Sequence, residues 1–283
     1  MKKILPLLLF ICWLPVLRGQ QMTMFSNFAD NQFFYNPSLA GAEDYGELRG
    51  MFRSQWQGVE DAPTSQYLGY QQGLDSIPFG LGLLGFSDQA GQLSNIGAML
   101  SAAYHWHGGE HWSLSFGVSA GLSRWTYDPF NSRVTDPSDR AFENANTASA
   151  TPLVNIGLNL RWQNFYLNFS SPQILESEAT VINVGNVNNK LKRHYFATTG
   201  YRIQLSSKYA LEPMAHLRYF ETAPEQLDLG IRFHLSNFWT GGFYRGEEAI
   251  SIQAGLELAD VLAIYYAYDA TTSALSAVNN GSH

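Results

Sequence analysis

Two short stretches of this sequence have spacings that carry out chemistry in other contexts. Gly117-Val118-Ser119-Ala120-Gly121 has the pattern of a nucleophile elbow, in which a sharp strand-to-helix turn lifts a serine hydroxyl into the open. Gly80-Leu81-Gly82-Leu83-Leu84-Gly85 has the glycine spacing of a dinucleotide fingerprint. Both patterns require a helix directly afterwards, and no helix signal follows either one. Ser119 instead lies within a strictly alternating run, on its small polar side. A lipid hydrolase built on Ser119 would also need a histidine within reach of its hydroxyl, so catalysis there is the weakest reading. The glycine run reads as strand with room for a close neighbour.

His105, His107 and His111, with Glu110 between them, are the remaining reactive cluster. Histidines two apart on a strand share a face and could hold a metal. The ligand set is incomplete, however, and a polar turn beside Trp106 and Trp112 accounts for these residues as well. The reading is therefore a protein without metal or cofactor, and not an enzyme.

A more informative set is Glu47, Arg49, Arg53 and Gln55, which alternate with Leu48, Gly50, Phe52, Ser54 and Trp56. Four polar groups on one side of a strand need a polar environment on that side. If the other side meets lipid, each charge turned outward would cost about 2–4 kcal/mol at the bilayer midplane. The set is expected to face a lumen and to pair with groups such as Glu257, Asp228, Arg161 or Arg232. Such a network could line a selective pore or fill a narrow barrel. The abundance of large lumen residues favours filling.

The elements that position these residues are strands. From Trp112, the residues Trp112, Leu114, Phe116, Val118, Ala120 and Leu122 alternate with Ser113, Ser115, Gly117, Ser119, Gly121 and Ser123. The same two-residue period recurs in the segments beginning at Val154, Gln226 and Ile250. It predicts thirteen strands, at 45–56, 64–71, 78–87, 92–106, 112–127, 153–162, 165–170, 194–205, 209–219, 226–235, 238–245, 249–258 and 261–269. Alternation alone also fits a soluble sandwich, whose apolar faces meet a second sheet. Strand lengths suited to tilted membrane crossings, and aromatic residues gathered near strand ends, favour a transmembrane antiparallel β-barrel.

Composition and the chain start agree with export. Only 14% of residues are charged, against about 25% in ordinary soluble domains. Lys2 and Lys3 precede an apolar run from Ile4 to Leu17, too short for a spanning helix of about 20 residues. Residues 1–19 read as a signal peptide cleaved near Gly19. Cys12, the only cysteine, lies inside that run after bulky Ile11, which argues against a lipid anchor. Removing three basic residues from a chain of net charge −7 leaves −10, so nucleic acid is excluded as a partner.

Residues 20–44 form a separate N-terminal segment, rich in aromatics (Phe25, Phe28, Phe33, Phe34, Tyr35) ahead of Asn36-Pro37. The barrel proper is expected over 45–283. Short links leave even-numbered strands and the two long ones leave odd-numbered strands, which places the segment in the periplasm. It could fold against or into the barrel mouth, or dock on a periplasmic partner. Thirteen strands conflict with the even count of such barrels. The expectation is a fourteenth strand following His283, unless the count is off by one.

Ordered motifs run through nearly the whole mature chain. They are Gln20-Gln21 with Phe25-Ser26, Tyr35-Asn36-Pro37 with Ala40-Gly41, Arg53-Ser54-Gln55-Trp56-Gln57-Gly58, and Ala62-Pro63-Thr64. Gly80-Leu81-Gly82 with Asp88 and Gly91, Trp239-Thr240-Gly241 with Tyr244-Arg245, Ala254-Gly255-Leu256 and Tyr266-Ala267-Tyr268-Asp269 follow. This set resembles the PorP/SprF outer-membrane proteins of Bacteroidetes. The resemblance implies Asn36, Pro37, Ala40, Gly41, Arg53, Gln55, Trp56, Gly58, Ala62 and Pro63 as family motif residues. It implies a non-enzymatic barrel in outer-membrane lipid, supporting type IX secretion or surface attachment of large exported proteins such as gliding adhesins. Its implied partners are the periplasmic and outer-membrane secretion components and the cargo. It also implies that Gly281-Ser282-His283 leads into a closing strand. A solute channel is the alternative function.

Overall fold

The computed structural model describes residues 22, 24–43, 45–128, 148–179, 190–221, 223–246, 248–259 and 261–283. The strands are β1 (Glu47–Ser54), β2 (Thr64–Gly73), β3 (Phe79–Ala90), β4 (Leu93–His107), β5 (Trp112–Tyr127), β6 (Ala148–Trp162) and β7 (Phe165–Ser171). They continue as β8 (His194–Tyr201), β9 (Ile203–Gln204), β10 (Tyr209–Phe220), β11 (Ala223–Leu235), β12 (Phe238–Arg245), β13 (Ala249–Leu258) and β14 (Leu262–Thr271). All belong to one antiparallel sheet in which sequence neighbours are spatial neighbours. The all-β fold expected from the alternation is therefore observed.

Two differences from the expected strands trace to proline. The strand expected at 194–205 is split into β8 and β9, which pair with β10 in a single register. That register sets Pro213 opposite Tyr201, and a proline has no N–H to contribute to a ladder. β6, in contrast, begins at Ala148, five residues earlier than expected, and passes straight through Pro152. Ile174 N donates to Val154 O at 3.0 Å, so by the two-residue repeat Pro152 also turns its backbone toward β7. β7 pairs no farther than Ile156, so the missing N–H at Pro152 breaks no ladder bond.

Burial decides which face is which. Leu122 is 64% exposed while Ser123 is 3%, and Ile252 is 64% exposed while Gln253 is 1%. Leu158 against Asn159 and Ile231 against Arg232 repeat the contrast. The apolar side of the sheet faces outward and the polar side is buried, the reverse of a soluble sandwich. The oily faces are not covered by a second sheet, since the described strands form one sheet only. A charge at the middle of this outward surface is expected to be expensive. Val118→Arg on β5 is expected to cost about 2–4 kcal/mol, read as a lower urea midpoint for unfolding from lipid vesicles.

The sheet curls until its first and last strands approach each other. Arg53 on β1 reaches Asp269 on β14 at 3.3 Å, and the Arg49 guanidinium lies 5.7 Å from the Tyr265 ring centre. Residues 280–283 stand between the two edges at one end. Ser54 and His283 exchange both backbone hydrogen bonds at 2.6 and 2.9 Å, and Asp269 and Ser282 do the same at 2.8 and 3.0 Å. The tail there occupies a strand position, at the place where sequence parity required one more strand.

Candidate functional site

The polar face of the sheet surrounds the N-terminal segment. Residues 24–42 run inside the curled sheet, and Phe25, Phe28, Phe33, Phe34, Tyr35, Leu39 and Ala40 are all buried there. Of the placements left open by the sequence, the described residues take the interior one. Asn36 organises the bend. Its extended backbone before Pro37 is the conformation that a following proline favours. Asn36 Oδ1 accepts from Ser38 N at 3.0 Å and Ser38 Oγ at 2.7 Å, capping the 3₁₀ turn Pro37–Leu39. Asn36 Nδ2 donates to Leu158 O on β6 at 3.0 Å, tying the bend to the wall.

The wall is shaped to receive this bend, and glycines do the shaping. A Cβ at Gly157 would lie 1.8 Å from Asn36 Oδ1, and one at Gly117 would lie 2.3 Å from the Pro37 carbonyl carbon. On β3, a Cβ at Gly80 would lie 2.0 Å from Ala40 O, and one at Gly82 2.4 Å from the Phe33 ring. Gly41 itself has φ +63° and sits against the Gln72 carbonyl, so glycine is needed there for conformation and for space. His105 Nε2 lies 2.9 Å from Ala40 O, and its Nδ1 lies 2.8 Å from Ser115 Oγ. His105 thus holds the segment in place.

Away from the glycine seat the segment is held by rings and charges. Phe28 stacks on His216 at 4.5 Å and meets the edge of Phe243 at 5.6 Å. Phe34 packs edge-on against Tyr67 and Phe25, and Phe25 N donates to the Tyr35 hydroxyl at 2.8 Å. Burial pushes the Tyr35 phenol up to about 12, so it remains neutral at ordinary pH. Arg232 on β11 donates to Asp30 and to Asn27 Oδ1 while its guanidinium lies 3.8 Å over the Trp239 ring. Ser26 Oγ donates to Asp269 at 2.7 Å, and Gln253 Nε2 donates to Ser26 O at 2.9 Å.

Asp269 also belongs to a chain of alternating charges buried in the wall. Arg53 and Arg245 both pair with Asp269, Arg245 approaches Asp228 at 3.7 Å, and Arg218 donates to Asp228 at 2.8 Å. Glu248 ends the chain, 3.5 Å from Arg218. The ladder couples β1 to β14, β12, β11 and β10, and therefore crosses the line where the sheet meets itself. At the end of the short turns the lumen opens into a vestibule of about 390 Å³ lined by Glu43, Glu47, Arg49, Arg161, Arg232 and Trp239 among others.

Over residues 17–283 the chain matches the family described as type IX secretion system membrane protein PorP/SprF. The chain belongs to the PorP/SprF family. No curated protein matches it.

The residues that carry the resemblance fall into three groups in space. Asn36, Pro37, Ala40 and Gly41 form the bend that fills the lumen. Arg53 joins the charge ladder across the seam. Gln55, Trp56, Gly58, Ala62 and Pro63 shape the turn after β1, where Gln55 N donates to Pro63 O at 2.9 Å and Trp56 N donates to Ser282 Oγ at 3.0 Å. Trp56 and Gly58 have φ of 47° and 91°, which folds the turn over the tail. Glu47, Arg49 and Arg53 point to the polar side, whereas Gln55 lies past the end of β1.

Their partners differ from those the sequence suggested. Glu47 pairs with Arg49 and accepts from Gln71 Nε2 at 2.6 Å, while Arg161 pairs with Glu43 at 3.0 Å. Ser119 is buried within β5 between Ser101 and Asn155, with no turn to present it. His107 and His111 lie exposed at the β4–β5 turn, apart from buried His105. Among the described residues, no group of three or more His, Cys, Asp or Glu could hold a metal ion. Asp269, quoted above only as part of a motif, and Arg218 are the charge partners that the sequence did not single out. Their positions on the small polar side of alternating strands were the available signal.

Proposed function

We propose that this PorP/SprF protein is a plugged outer-membrane barrel that supports type IX secretion or surface attachment of particular large exported proteins, including adhesin-like cargo of gliding motility. The observation that carries this reading is the lumen itself, occupied by residues 24–42 and pinned by Asn36, Arg232 and Asp269. A barrel filled by its own chain acts through its surfaces, because a solute channel needs continuous aqueous space.

Long links stand at one end of the sheet and short turns at the other, so the short-turn end with its vestibule faces the periplasm. Secretion components are met from that side, cargo from the other, and lipid covers the apolar belt between them. The described part of the segment then lies inside the barrel and leaves it at the periplasmic end, where β1 starts. Deleting the gene is expected to remove one or a few large surface proteins while general secretion continues. Surface proteomics comparing the deletion with its complemented strain reads this directly, and unchanged surface proteins would contradict it.

A further inference from the structure

A second, partly open space lies between the N-terminal segment and the wall formed by β3 to β6. It measures about 40 Å³, with Met22 and Phe34 of the segment on one side and Leu84, Phe86 and Met99 on the other. A cavity lined by these apolar groups alone would ordinarily be dry. Four polar atoms on its lining argue otherwise. Asn95 Oδ1, Ser123 Oγ, Trp125 Nε1 and Gln173 Oε1 are buried and have no hydrogen-bond partner among the described residues. Asn95 is 9% exposed and Ser123 is 3% exposed, so bulk solvent does not satisfy them.

The set contains two acceptors, one donor and one hydroxyl that serves as either. A buried water needs roughly 10–15 Å³ of such space and two to four polar partners. The chamber holds about three on that count, and a small cluster supplies both the donors for the amide oxygens and the acceptor for the indole. We infer that this chamber is a binding site for a cluster of ordered water, which links β4, β5 and the chain just after β7 beneath the segment. The segment is then seated in two ways. Its Phe28 side is dry and stacked, and its Met22 and Phe34 side rests on water.

The test uses the unaltered full-length chain in detergent or bicelles. A crystallographic map at about 1.8 Å is expected to show about three solvent peaks within roughly 3.2 Å of these four atoms. Pressurising the same crystals with xenon is expected to leave the chamber without a xenon peak, because xenon occupies dry apolar cavities. A xenon peak in the chamber would overturn the inference. A map in which the Asn95 and Gln173 amides bond to protein groups, with no solvent density beside them, would overturn it as well.

Discussion

Planar bilayers containing the variant with both Gly117→Val and Gly157→Val are expected to pass current in discrete, reproducible steps, while the unaltered chain shows no large steady conductance. The reasoning is steric. Even a lone Cβ at these positions would lie 2.3 and 1.8 Å from the Asn36-Pro37 bend, well inside contact distance. Backbone and a capping amide cannot yield by that much, so valine at both sites pushes the bend off the wall. The anchors that remain, among them Phe28, Arg232, Ser26 and His105, hold the segment to either side of the displaced bend. A barrel of this strand number lies between small barrels filled by side chains and porins with open channels, so emptying it should open an aqueous path. Limited proteolysis cutting within residues 24–42 of the variant alone would confirm displacement. Displacement without current would show that the wall closes by itself.

Arg245→Met is expected to be the most destabilising single substitution in the wall. Arg245 lies between Asp228 and Asp269, and all three side chains are at most 3% exposed. Removing the guanidinium leaves two carboxylates buried with less compensation, and breaking a buried pair in this way costs about 3–5 kcal/mol. The chemical test is rescue. Adding Asp228→Asn to Arg245→Met should recover much of the loss in urea unfolding, because Arg53 then keeps Asp269 and Arg218 keeps Glu248, and the charges balance. Failure of this double variant to recover would mean that shape, not charge, sets the cost.

The strands were legible because their two-residue period is not interrupted, and because the small polar side is so uniform in β5. The face assignment followed from the same pattern, since Ser, Asn and Gly cannot form an oily core. The filled lumen was legible only as a tendency. Residues 24–42 have no period, and their aromatic residues suit a partner surface as well as an interior. The signal for the interior lay elsewhere, in Gly80, Gly82, Gly117 and Gly157. Glycine on the inward side of three different strands leaves a hollow, and a hollow that persists requires something to occupy it.

Charge partners were less legible still. Arg53 was placed on the correct side, but its partner lies 216 residues away on β14, a pairing fixed only when the sheet curls. Asp30 reaches Arg232 across 202 positions for the same reason. Proline misled in both directions. Pro152 looks like a strand boundary and is not one, because its backbone nitrogen, which has no hydrogen to donate, faces a side where pairing has ended. Pro213 was read through and interrupts a ladder.

Adjacent residues on β4 offer the most direct test of the central claim that the oily side of a single sheet meets hydrocarbon. Leu100 is 67% exposed and Ser101 is 5% exposed. Cys12 is the only cysteine, so with Cys12→Ser one cysteine at either site can carry a fluorophore. In vesicles of brominated lipid, the label at position 100 is predicted to be strongly quenched and the label at 101 to be nearly untouched. Equal quenching at both positions, or stronger quenching at 101, would contradict the account.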